Sequence, residues 1–300
     1  MPTKIEWTEE TWNPITGCTK ISEGCQNCYA ERMSKRLAGR FGYPADDSFK
    51  PGTFHEDKLL EPLKWKKPRK VFVCSMSDIF HDAVTNDQVE QILEVIDDTP
   101  HHAYMFLTKR PENIREKLYG FTEKYPCRML GGNDWLPNVW LGVTAENQRT
   151  ADERIPILLQ IPAAVRFVSV EPMLGPVDVG PYLPVYDYRY TCGYYKTLFK
   201  AAGIESDGKP KLVSPGLDWV ICGGETGPGA RPMQPEWAKS LLDQCVDAGV
   251  PFFFKQWGEW FVPVDYNACL TTPLKVGKKK AGRLLDGREW NEYPEVANAN

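Results

Sequence analysis

The sequence predicts an α/β protein, built as a partial (β/α) barrel of six or seven mostly parallel strands. Short apolar runs rich in valine, isoleucine and phenylalanine recur along the chain, and most are followed by turn residues and an amphipathic stretch with helical spacing. Several runs are apolar throughout, which is typical of strands covered on both faces. Alternation of such strands with helices favours a parallel sheet or barrel.

The predicted elements follow one another in a regular order. The predicted strands are 4–7, 70–76, 103–109, 138–144, 165–171, 218–224 and 251–257. The predicted helices are 28–41, 86–98, 112–121, 149–161 and 235–249. The last helix has Pro235 just inside its start and Gly249 at its end, as helix termini prefer. In a barrel of this kind, chemistry collects at the carboxyl ends of the strands.

The predicted domain organisation is one barrel with two additions. Residues 1–257 form the barrel, which includes a cysteine-bearing loop at 17–29 and a Tyr- and Pro-rich insertion at 175–217. Residues 258–300 form a C-terminal extension. A chain of 300 residues is long enough for one sizeable core.

Composition narrows the class of protein and its partners. With 42% hydrophobic and 25% charged residues the chain is globular rather than disordered or fibrous. The sequence has no apolar stretch approaching the roughly 18 residues of a membrane helix and no signal peptide, so we expect a cytoplasmic protein without a membrane partner. The net charge of -4 gives no global attraction to nucleic acid, although 64–70 and 275–283 are locally basic.

Three of the nine cysteines lie close together in the sequence. Cys18, Cys25 and Cys28 have C-x6-C-x2-C spacing, just after the first predicted strand and directly before the first predicted helix. An odd cysteine count without a secretion signal indicates metal binding or catalysis rather than a disulfide framework. Gly17 and Gly24 precede two of the cysteines and would let backbone amides turn toward the sulfurs.

The number of ligands separates the metals that this motif can hold. A structural zinc site normally takes four ligands, and only His55 or a distant cysteine would complete one here. Three cysteines instead leave one iron of a [4Fe-4S] cluster open to a further ligand. We interpret the motif as a cluster site, with a zinc site and simple buried or redox-active thiols as the alternatives.

A family resemblance supports the cluster. The segment WNPITGCTKISEGCQNCYAERM resembles the opening of the phage-associated Gp37/Gp68 family, also catalogued as a domain of unknown function, whose members resemble radical S-adenosylmethionine proteins. The resemblance extends through VFVCSMSDIF, FLTKRPENI, WLGVTAEN, SVEPMLGPV, WVICGGETGPGARPM, FFFKQWGEW and GRLLDGREW. The best-known radical pattern is C-x3-C-x2-C with an aromatic residue before the third cysteine, whereas here Asn27 has that place and Tyr29 follows.

This resemblance implies a radical-SAM-like barrel with a [4Fe-4S] cluster and S-adenosyl-L-methionine as cofactors. It implies that the amino and carboxylate groups of S-adenosylmethionine chelate the fourth iron. Reductive cleavage of S-adenosylmethionine then gives methionine and a 5′-deoxyadenosyl radical, which requires an external electron donor. The protein's task is orientation and shielding.

Polar residues at the predicted strand ends are the candidate cofactor-binding residues. Ser75, Ser77 and Asp78 lie at the end of the second strand, where radical enzymes usually place the acceptor for the cofactor's amino group. For Asp78, Thr144 and Asn147 the alternative is helix capping, and for the loop at 223–225 it is a structural turn. The complete set is Ser75, Ser77, Asp78, Thr144, Glu146, Asn147, Glu171, Gly223, Gly224 and Glu225.

Cations and aromatic residues suggest the substrate class. Four cations are predicted at the same end of the barrel as the strand-end residues. They would neutralise carboxylates of the cofactor or phosphates of the substrate. The alternative is that they are solvated surface charges. They are Lys109, Arg110, Arg231 and Lys255. The insertion carries tyrosines that would stack on bases or pack a lid onto the barrel. These are Tyr186, Tyr188, Tyr190, Tyr194 and Tyr195.

The predicted function is that of a radical S-adenosylmethionine enzyme acting on a nucleic-acid base or nucleotide, in modification or repair. The substrate class rests on the phage association, the local basic runs, the aromatic residues and an analogy to spore photoproduct lyase, a radical enzyme that repairs thymine lesions. The alternative is a nucleic-acid-binding module stapled by zinc or an iron-sulfur site, without radical catalysis. The sequence assigns no catalytic residue.

Overall fold

The fold is described from a computed structural model of the chain. The structure describes residue 3 and the ranges 5–118, 137–187, 210–261 and 273–295. The predicted insertion is therefore described only at its two ends. Of its tyrosines, Tyr186 is described, whereas Tyr188, Tyr190, Tyr194 and Tyr195 lie outside the described residues.

A seven-stranded sheet forms the centre of the molecule. Its strands follow one another across the sheet in chain order, and every neighbouring pair is parallel. The strands are β1 Glu10–Trp12, β2 Lys70–Val73, β3 Ala103–Thr108, β4 Val139–Thr144, β5 Val165–Val170, β6 Trp219–Gly223 and β7 Phe252–Gln256. This sheet confirms the predicted partial (β/α) barrel, whose strand ends share one face.

The first strand begins later than the sequence predicts. The predicted strand at 4–7 is wrong, because residues 5–7 are not in a strand and β1 begins at Glu10. Trp7 is buried inside the barrel instead, with its ring 4.7 Å from that of Phe72. The apolar character of this segment therefore reflects core packing rather than sheet pairing.

Helices connect the strands and cover the sheet. The longer ones are α1 Tyr29–Leu37, α2 Asn86–Asp97, α3 Gln148–Leu158 and α4 Pro235–Ala248. The predicted helix at 112–121 begins as the 3-10 turn Pro111–Asn113 and is helical through residue 118, where the described range ends. In the described part of the chain, no helix has the length and apolarity needed to cross a membrane.

Side chains of the sheet pack into two cores, one on each face. In β6, Trp219 and Ile221 belong to an aromatic cluster inside the barrel, whereas Val220 and Cys222 pack toward the helices. This alternation has the period of two that a pleated strand imposes. Cys74, Cys222 and Cys245 are free and buried, which confirms that they are small apolar core residues.

The C-terminal extension packs against the edge strand β7. Asn291 pairs with Phe253 in an antiparallel bridge, and the Phe254 amide donates to the Trp290 carbonyl oxygen at 2.9 Å. The Trp290 side chain is only 9% exposed and belongs to the main core. The extension therefore covers backbone groups that an edge strand would otherwise expose.

We predict that Trp290→Ala lowers the free energy of unfolding by about 3 to 5 kcal/mol, because truncating a buried tryptophan leaves a cavity. Leu284→Ala is the matched control, since Leu284 lies in the same segment and is 58% exposed. That change should stay within about 0.5 kcal/mol. Urea unfolding measures both. Equal effects of the two changes would show that the extension is not part of the core.

Candidate cofactor site

The cysteine loop, residues 13–28, leaves the carboxyl end of β1 and leads into α1. Side chains that follow β2 hold its backbone in place. The Ser75 hydroxyl donates to Oδ1 of Asn13 at 3.1 Å, and the Ser77 hydroxyl donates to the Gly17 carbonyl oxygen at 2.6 Å. The Gly17 amide donates to the Met76 carbonyl oxygen at 3.0 Å. In this structure Ser75 and Ser77 therefore anchor the loop.

Both glycines of the cysteine loop allow close packing. Gly17 has a φ of 87°, and a Cβ there would lie 1.9 Å from the Lys50 carbonyl oxygen. A Cβ on Gly24 would lie 2.4 Å from Oε1 of Glu146. The loop therefore rests directly on a neighbouring backbone and on a buried carboxylate, which only glycine permits.

The three thiols of the loop are free and half-buried. The Arg110 guanidinium donates from Nη1 to Sγ of Cys18 at 3.6 Å. Sγ of Cys25 lies 3.6 Å from the Ser22 hydroxyl oxygen. Cys28 directly precedes α1. The thiols thus lie at the carboxyl end of the sheet, as the sequence predicts.

Cys18 and Cys25 differ in acidity. Burial and the nearby Asp78 carboxylate raise the pKa of Cys18 to about 11, although Arg110 opposes this shift. Burial also acts to raise the pKa of Cys25, but the Lys109 cation and hydrogen bonds from the loop backbone outweigh it. The pKa of Cys25 therefore lies below its ordinary value of 9.0. Cys25 is the more readily ionised of the two thiols.

Four carboxylates at this end of the sheet are paired with the four predicted cations. The pairs are Arg110 with Asp78 at 3.3 Å, Lys109 with Glu146 at 3.5 Å, Arg231 with Glu225 at 2.6 Å and Lys255 with Glu171 at 2.7 Å. Each cation offsets the cost of burying an ionised carboxylate. A cofactor carboxylate or substrate phosphate would have to compete with the protein's own carboxylates for these cations.

Asp78 receives four hydrogen bonds. Its Oδ1 accepts from the Thr108 hydroxyl at 2.7 Å and from the Phe80 amide at 3.1 Å. Its Oδ2 accepts from the Lys109 amide at 3.1 Å and from Arg110 Nη1 at 3.3 Å. These donors fill the acceptor positions of a carboxylate. Asp78 does not cap α2, which begins with a capping box built from other residues.

Arg110 joins Asp78 to the cysteine loop. Its Nη2 donates to the Thr19 hydroxyl oxygen at 2.8 Å and to the Thr19 carbonyl oxygen at 3.2 Å. His81 lies on the same hydroxyl, with Nε2 at 2.8 Å. Because Nδ1 of His81 accepts from the Ala83 amide at 3.0 Å, its Nε2 carries the proton and donates to Thr19. Thr19 therefore fixes the chain directly after Cys18.

Glu146 is a second buried anchor for the loop, with a side chain that is 0% exposed. Its Oε1 accepts from the Ser22 hydroxyl, and its Oε2 lies 3.0 Å from Arg154 Nη1 in α3. Burial acts to raise the pKa of Glu146, but Lys109 and Arg154 outweigh it, and the pKa is lowered. Glu146 therefore stays ionised and ties the loop to β4 and α3.

The segment after β6 clasps the cysteine loop from the other side. Arg231 donates to both oxygens of Glu225, from Nε at 2.8 Å and from Nη2 at 2.6 Å. The same Nη2 donates to the Glu23 carbonyl oxygen at 3.0 Å. From the loop, Asn27 Nδ2 donates to the Gly229 carbonyl oxygen at 2.8 Å. Glu225 and Arg231 thus have a structural role in this arrangement.

Glu171 is the most accessible of the four carboxylates, with 19% of its side chain exposed compared with 7%, 0% and 4% for the other three. Its Oε1 accepts from Lys255 and lies 3.5 Å from Gln256 Nε2. A Cβ on Gly223 would lie 3.2 Å from Cδ of Glu171, and a Cβ on Gly224 would lie 2.2 Å from the Trp257 carbonyl oxygen. The absence of a side chain at these glycines therefore lets other parts of the chain pack closely against them.

Thr144 and Asn147 support α3. Oδ1 of Asn147 accepts from the Thr150 amide at 3.1 Å in a capping box, so the capping alternative describes Asn147 correctly. The Thr144 carbonyl oxygen accepts from Arg154 at 2.7 Å, and its side chain is buried.

The donor set fits an iron-sulfur cluster in its chemistry. Three free thiols share one loop, and cations lie beside two of them, although only the pKa of Cys25 is lowered. Metal binding requires the thiolate form, which Cys25 reaches more readily than Cys18. Within the described ranges, however, no group of three or more His, Cys, Asp and Glu side chains is arranged to hold a metal ion. The residue types therefore suit an iron-sulfur cluster, but the loop in this structure is not arranged as a metal site.

Several residues of the site escape sequence reasoning. Ser22 and Thr19 lie between the cysteines, and only the fold reveals that they contact Glu146 and Arg110. Arg154 reaches Glu146 from the next helix. No local sequence pattern joins such residues, because the pairing depends on how strand ends meet.

We predict that Cys25 of the metal-free, reduced protein reacts faster than Cys18 with iodoacetamide near pH 8, because its pKa is the lower. Lys109→Gln should move the pH dependence of Cys25 alkylation to higher pH, since it removes the main stabilising cation. Mass spectrometry of peptides after timed alkylation measures each site. Faster reaction at Cys18 would contradict the described electrostatics.

We predict that Glu146→Gln lowers the free energy of unfolding at pH 7 by about 3 kcal/mol, because Lys109 and Arg154 lose their buried partner. The difference from the wild type is full above the ordinary pKa of 4.5 and shrinks as the pH falls through the lower folded-state value. Urea unfolding across this range measures it.

Glu153→Gln is the control for Glu146→Gln, since Glu153 pairs with Arg149 on the exposed side of α3. It should cost less than about 1 kcal/mol. A loss at Glu146 as small as that at Glu153 would mean that Glu146 does not anchor the loop.

Comparison with known proteins places the chain in a family. A family model described as "Protein of unknown function (DUF5131)" matches residues 2–294. Searches of curated proteins and of solved structures return no match. The family match spans the sheet, the cysteine loop and the C-terminal extension. The chain therefore belongs to the DUF5131 family.

Proposed function

We propose that this protein is a radical S-adenosylmethionine enzyme that holds a [4Fe-4S] cluster on Cys18, Cys25 and Cys28. The observation that carries the proposal is the position of three free thiols on one loop at the carboxyl end of a parallel half barrel, with cations beside two of them. In barrels of this kind, reactive groups collect at that end.

The cations next to the thiols support a thiolate-ligated centre. Such a centre concentrates negative charge, which is costly in a half-buried site without nearby positive charge or donors. Arg110 donates to Cys18, and Lys109 lowers the pKa of Cys25. In our proposal these two residues stabilise the charged ligands and keep the loop in position.

When bound, the cluster supplies the electron for reductive cleavage of S-adenosylmethionine to methionine and a 5′-deoxyadenosyl radical. The chain's own residues would bind and orient that cofactor. We assign the acceptor for its amino group to Glu171 rather than Asp78, because Asp78 already receives four hydrogen bonds, whereas Glu171 is the most exposed of the four carboxylates. Glu146 and Glu225 are assigned to holding the loop.

The substrate in this proposal is a nucleic-acid base or nucleotide, as the sequence suggests. Modification or repair of a base by hydrogen abstraction is the corresponding reaction class. An external electron donor is part of the proposal, since S-adenosylmethionine cleavage consumes an electron.

We predict that the protein reconstituted without oxygen binds about four irons per chain, as one cubane cluster requires. Changing Cys18, Cys25 or Cys28 to Ala should abolish iron binding. Cys245→Ala is the matched control, because Cys245 is a buried, free cysteine in α4 and should leave the iron content unchanged. Iron and sulfide analysis measures the result. Stoichiometric zinc without iron uptake would favour the metal-stapled binding module and contradict our proposal.

We predict that the reconstituted, reduced protein forms 5′-deoxyadenosine from S-adenosylmethionine. Glu171→Gln should keep the iron but weaken S-adenosylmethionine binding by roughly 10- to 150-fold, because the acceptor of the cofactor's amino group loses its negative charge. Equilibrium binding and product analysis measure both. A protein that holds the cluster but forms no 5′-deoxyadenosine is not a radical enzyme. If Glu171→Gln binds S-adenosylmethionine as the wild type does, Glu171 is not a cofactor-binding residue.

A further inference from the structure

The outer surface of α1 and the turn that follows it combine exposed apolar side chains and exposed cations. Tyr29, Met33 and Phe41 are 45%, 41% and 73% exposed. The exposed cations Arg36 and Arg40 lie among them. We call these five residues the α1 surface. Tyr29, Met33 and Arg36 have i, i+4, i+7 spacing and share one face of the helix.

Phe41 is held outward by a tight turn. Its φ is 52°, in the left-handed region that non-glycine residues rarely adopt. The Gly39 amide donates to the Tyr43 carbonyl oxygen at 3.0 Å, and the Tyr43 amide donates to the Arg40 carbonyl oxygen at 2.9 Å. Tyr43 is buried and anchors this turn. The fold therefore accepts both backbone strain and an exposed aromatic ring at one position, which is typical of functional sites.

The guanidinium groups of the α1 surface differ in their surroundings from the cations at the strand ends. Among the described residues, neither the Arg36 nor the Arg40 side chain has an ion-pair or hydrogen-bond partner. The one acidic residue of α1, Glu31, is paired with Lys20 at 2.9 Å and with Lys35 at 3.0 Å. This contrasts with the strand ends, where every predicted cation has a carboxylate. Two free guanidinium groups are therefore available to an anionic partner.

The α1 surface begins at the candidate cofactor site. Tyr29 directly follows Cys28, and its hydroxyl donates to the Ser75 carbonyl oxygen after β2. This bond fixes a ring that remains nearly half exposed. A partner lying along α1 would therefore reach the end of the sheet that carries the thiols.

We propose that the α1 surface binds single-stranded nucleic acid and delivers it to the cofactor site. Rings that stack on unpaired bases, together with arginines that contact phosphates, are the recognition mode of proteins that bind single strands. Unpaired bases are required for stacking, which favours a single strand over a duplex. Three apolar side chains and two arginines share this surface, so it fits a polyanion better than an apolar protein face. The delivery step rests on the proposed function, whereas binding does not.

The test is fluorescence anisotropy of the full chain with labelled oligothymidylate and oligouridylate, because stacking tolerates sequence while a 2′-hydroxyl contact separates RNA from DNA. Phe41→Gly should weaken binding by about 5- to 150-fold, since stacking on one base is lost. The same change should not lower the unfolding midpoint, because glycine relieves the strained backbone. If Phe41 has only a structural role, the change should lower the unfolding midpoint and leave the affinity for the oligonucleotides unchanged.

The double change Arg36→Gln with Arg40→Gln should reduce the slope of log affinity against log salt by about 1.4, as expected for two lost phosphate contacts on a single strand. The control is Lys66→Gln with Lys67→Gln, which changes the charge equally on exposed residues that precede β2, at the opposite end of the sheet. Equal losses in both double variants, or wild-type affinity in the α1 variants, would overturn the proposal. So would a wild type that binds phosphatidylserine vesicles but neither oligonucleotide.

Iron content separates this inference from the proposed function. The α1 variants should bind as much iron as the wild type, because none of their changed residues is a proposed ligand. An intact cluster in a protein whose binding of single strands is unchanged in the α1 variants would contradict only the inference about the α1 surface. The protein could instead take up no iron and still bind single-stranded nucleic acid through the α1 surface. That result would contradict only the proposed radical chemistry.

Discussion

The site depends on two buried carboxylates that are neutralised by neighbouring cations from the end of β3. Arg110 pairs with Asp78 and contacts Cys18, whereas Lys109 pairs with Glu146 and lowers the pKa of Cys25. Burying either carboxylate without its cation would be strongly unfavourable. The tandem cations therefore couple the sheet to the cysteine loop, and the position of both thiols follows from the same electrostatic requirement.

This coupling divides the polar residues at the strand ends into two groups. One group comprises Asp78, Glu146 and Glu225, whose carboxylate oxygens accept hydrogen bonds from other protein groups. These residues hold the cysteine loop from the ends of three strands. Glu171 is more exposed and lies beside Lys255. The proposed chemistry therefore separates a rigid support for the thiols from a more open carboxylate for the cofactor. Such separation is physically reasonable, because a ligand site must exchange partners whereas an anchor must not.

The sequence predicts most of the sheet because its strands are short apolar runs buried on both faces, and six of the predicted strands agree with the structure within a few residues. The prediction at 4–7 is wrong because Trp7 serves the barrel interior. The sequence also predicts which polar residues gather at one end, since parallel strands share an edge. It does not predict that Arg110 meets Asp78 or that Arg154 reaches Glu146, because these pairs depend on side-chain packing between distant segments.

The central proposal is that the cysteine loop holds a cluster with one iron open to S-adenosylmethionine. Electron paramagnetic resonance of the reconstituted, reduced protein, recorded with and without S-adenosylmethionine, tests it most directly. The account predicts the signal of a reduced [4Fe-4S] cluster whose g-values change when S-adenosylmethionine is added. Absence of that signal, or a signal that S-adenosylmethionine leaves unchanged, would contradict the account.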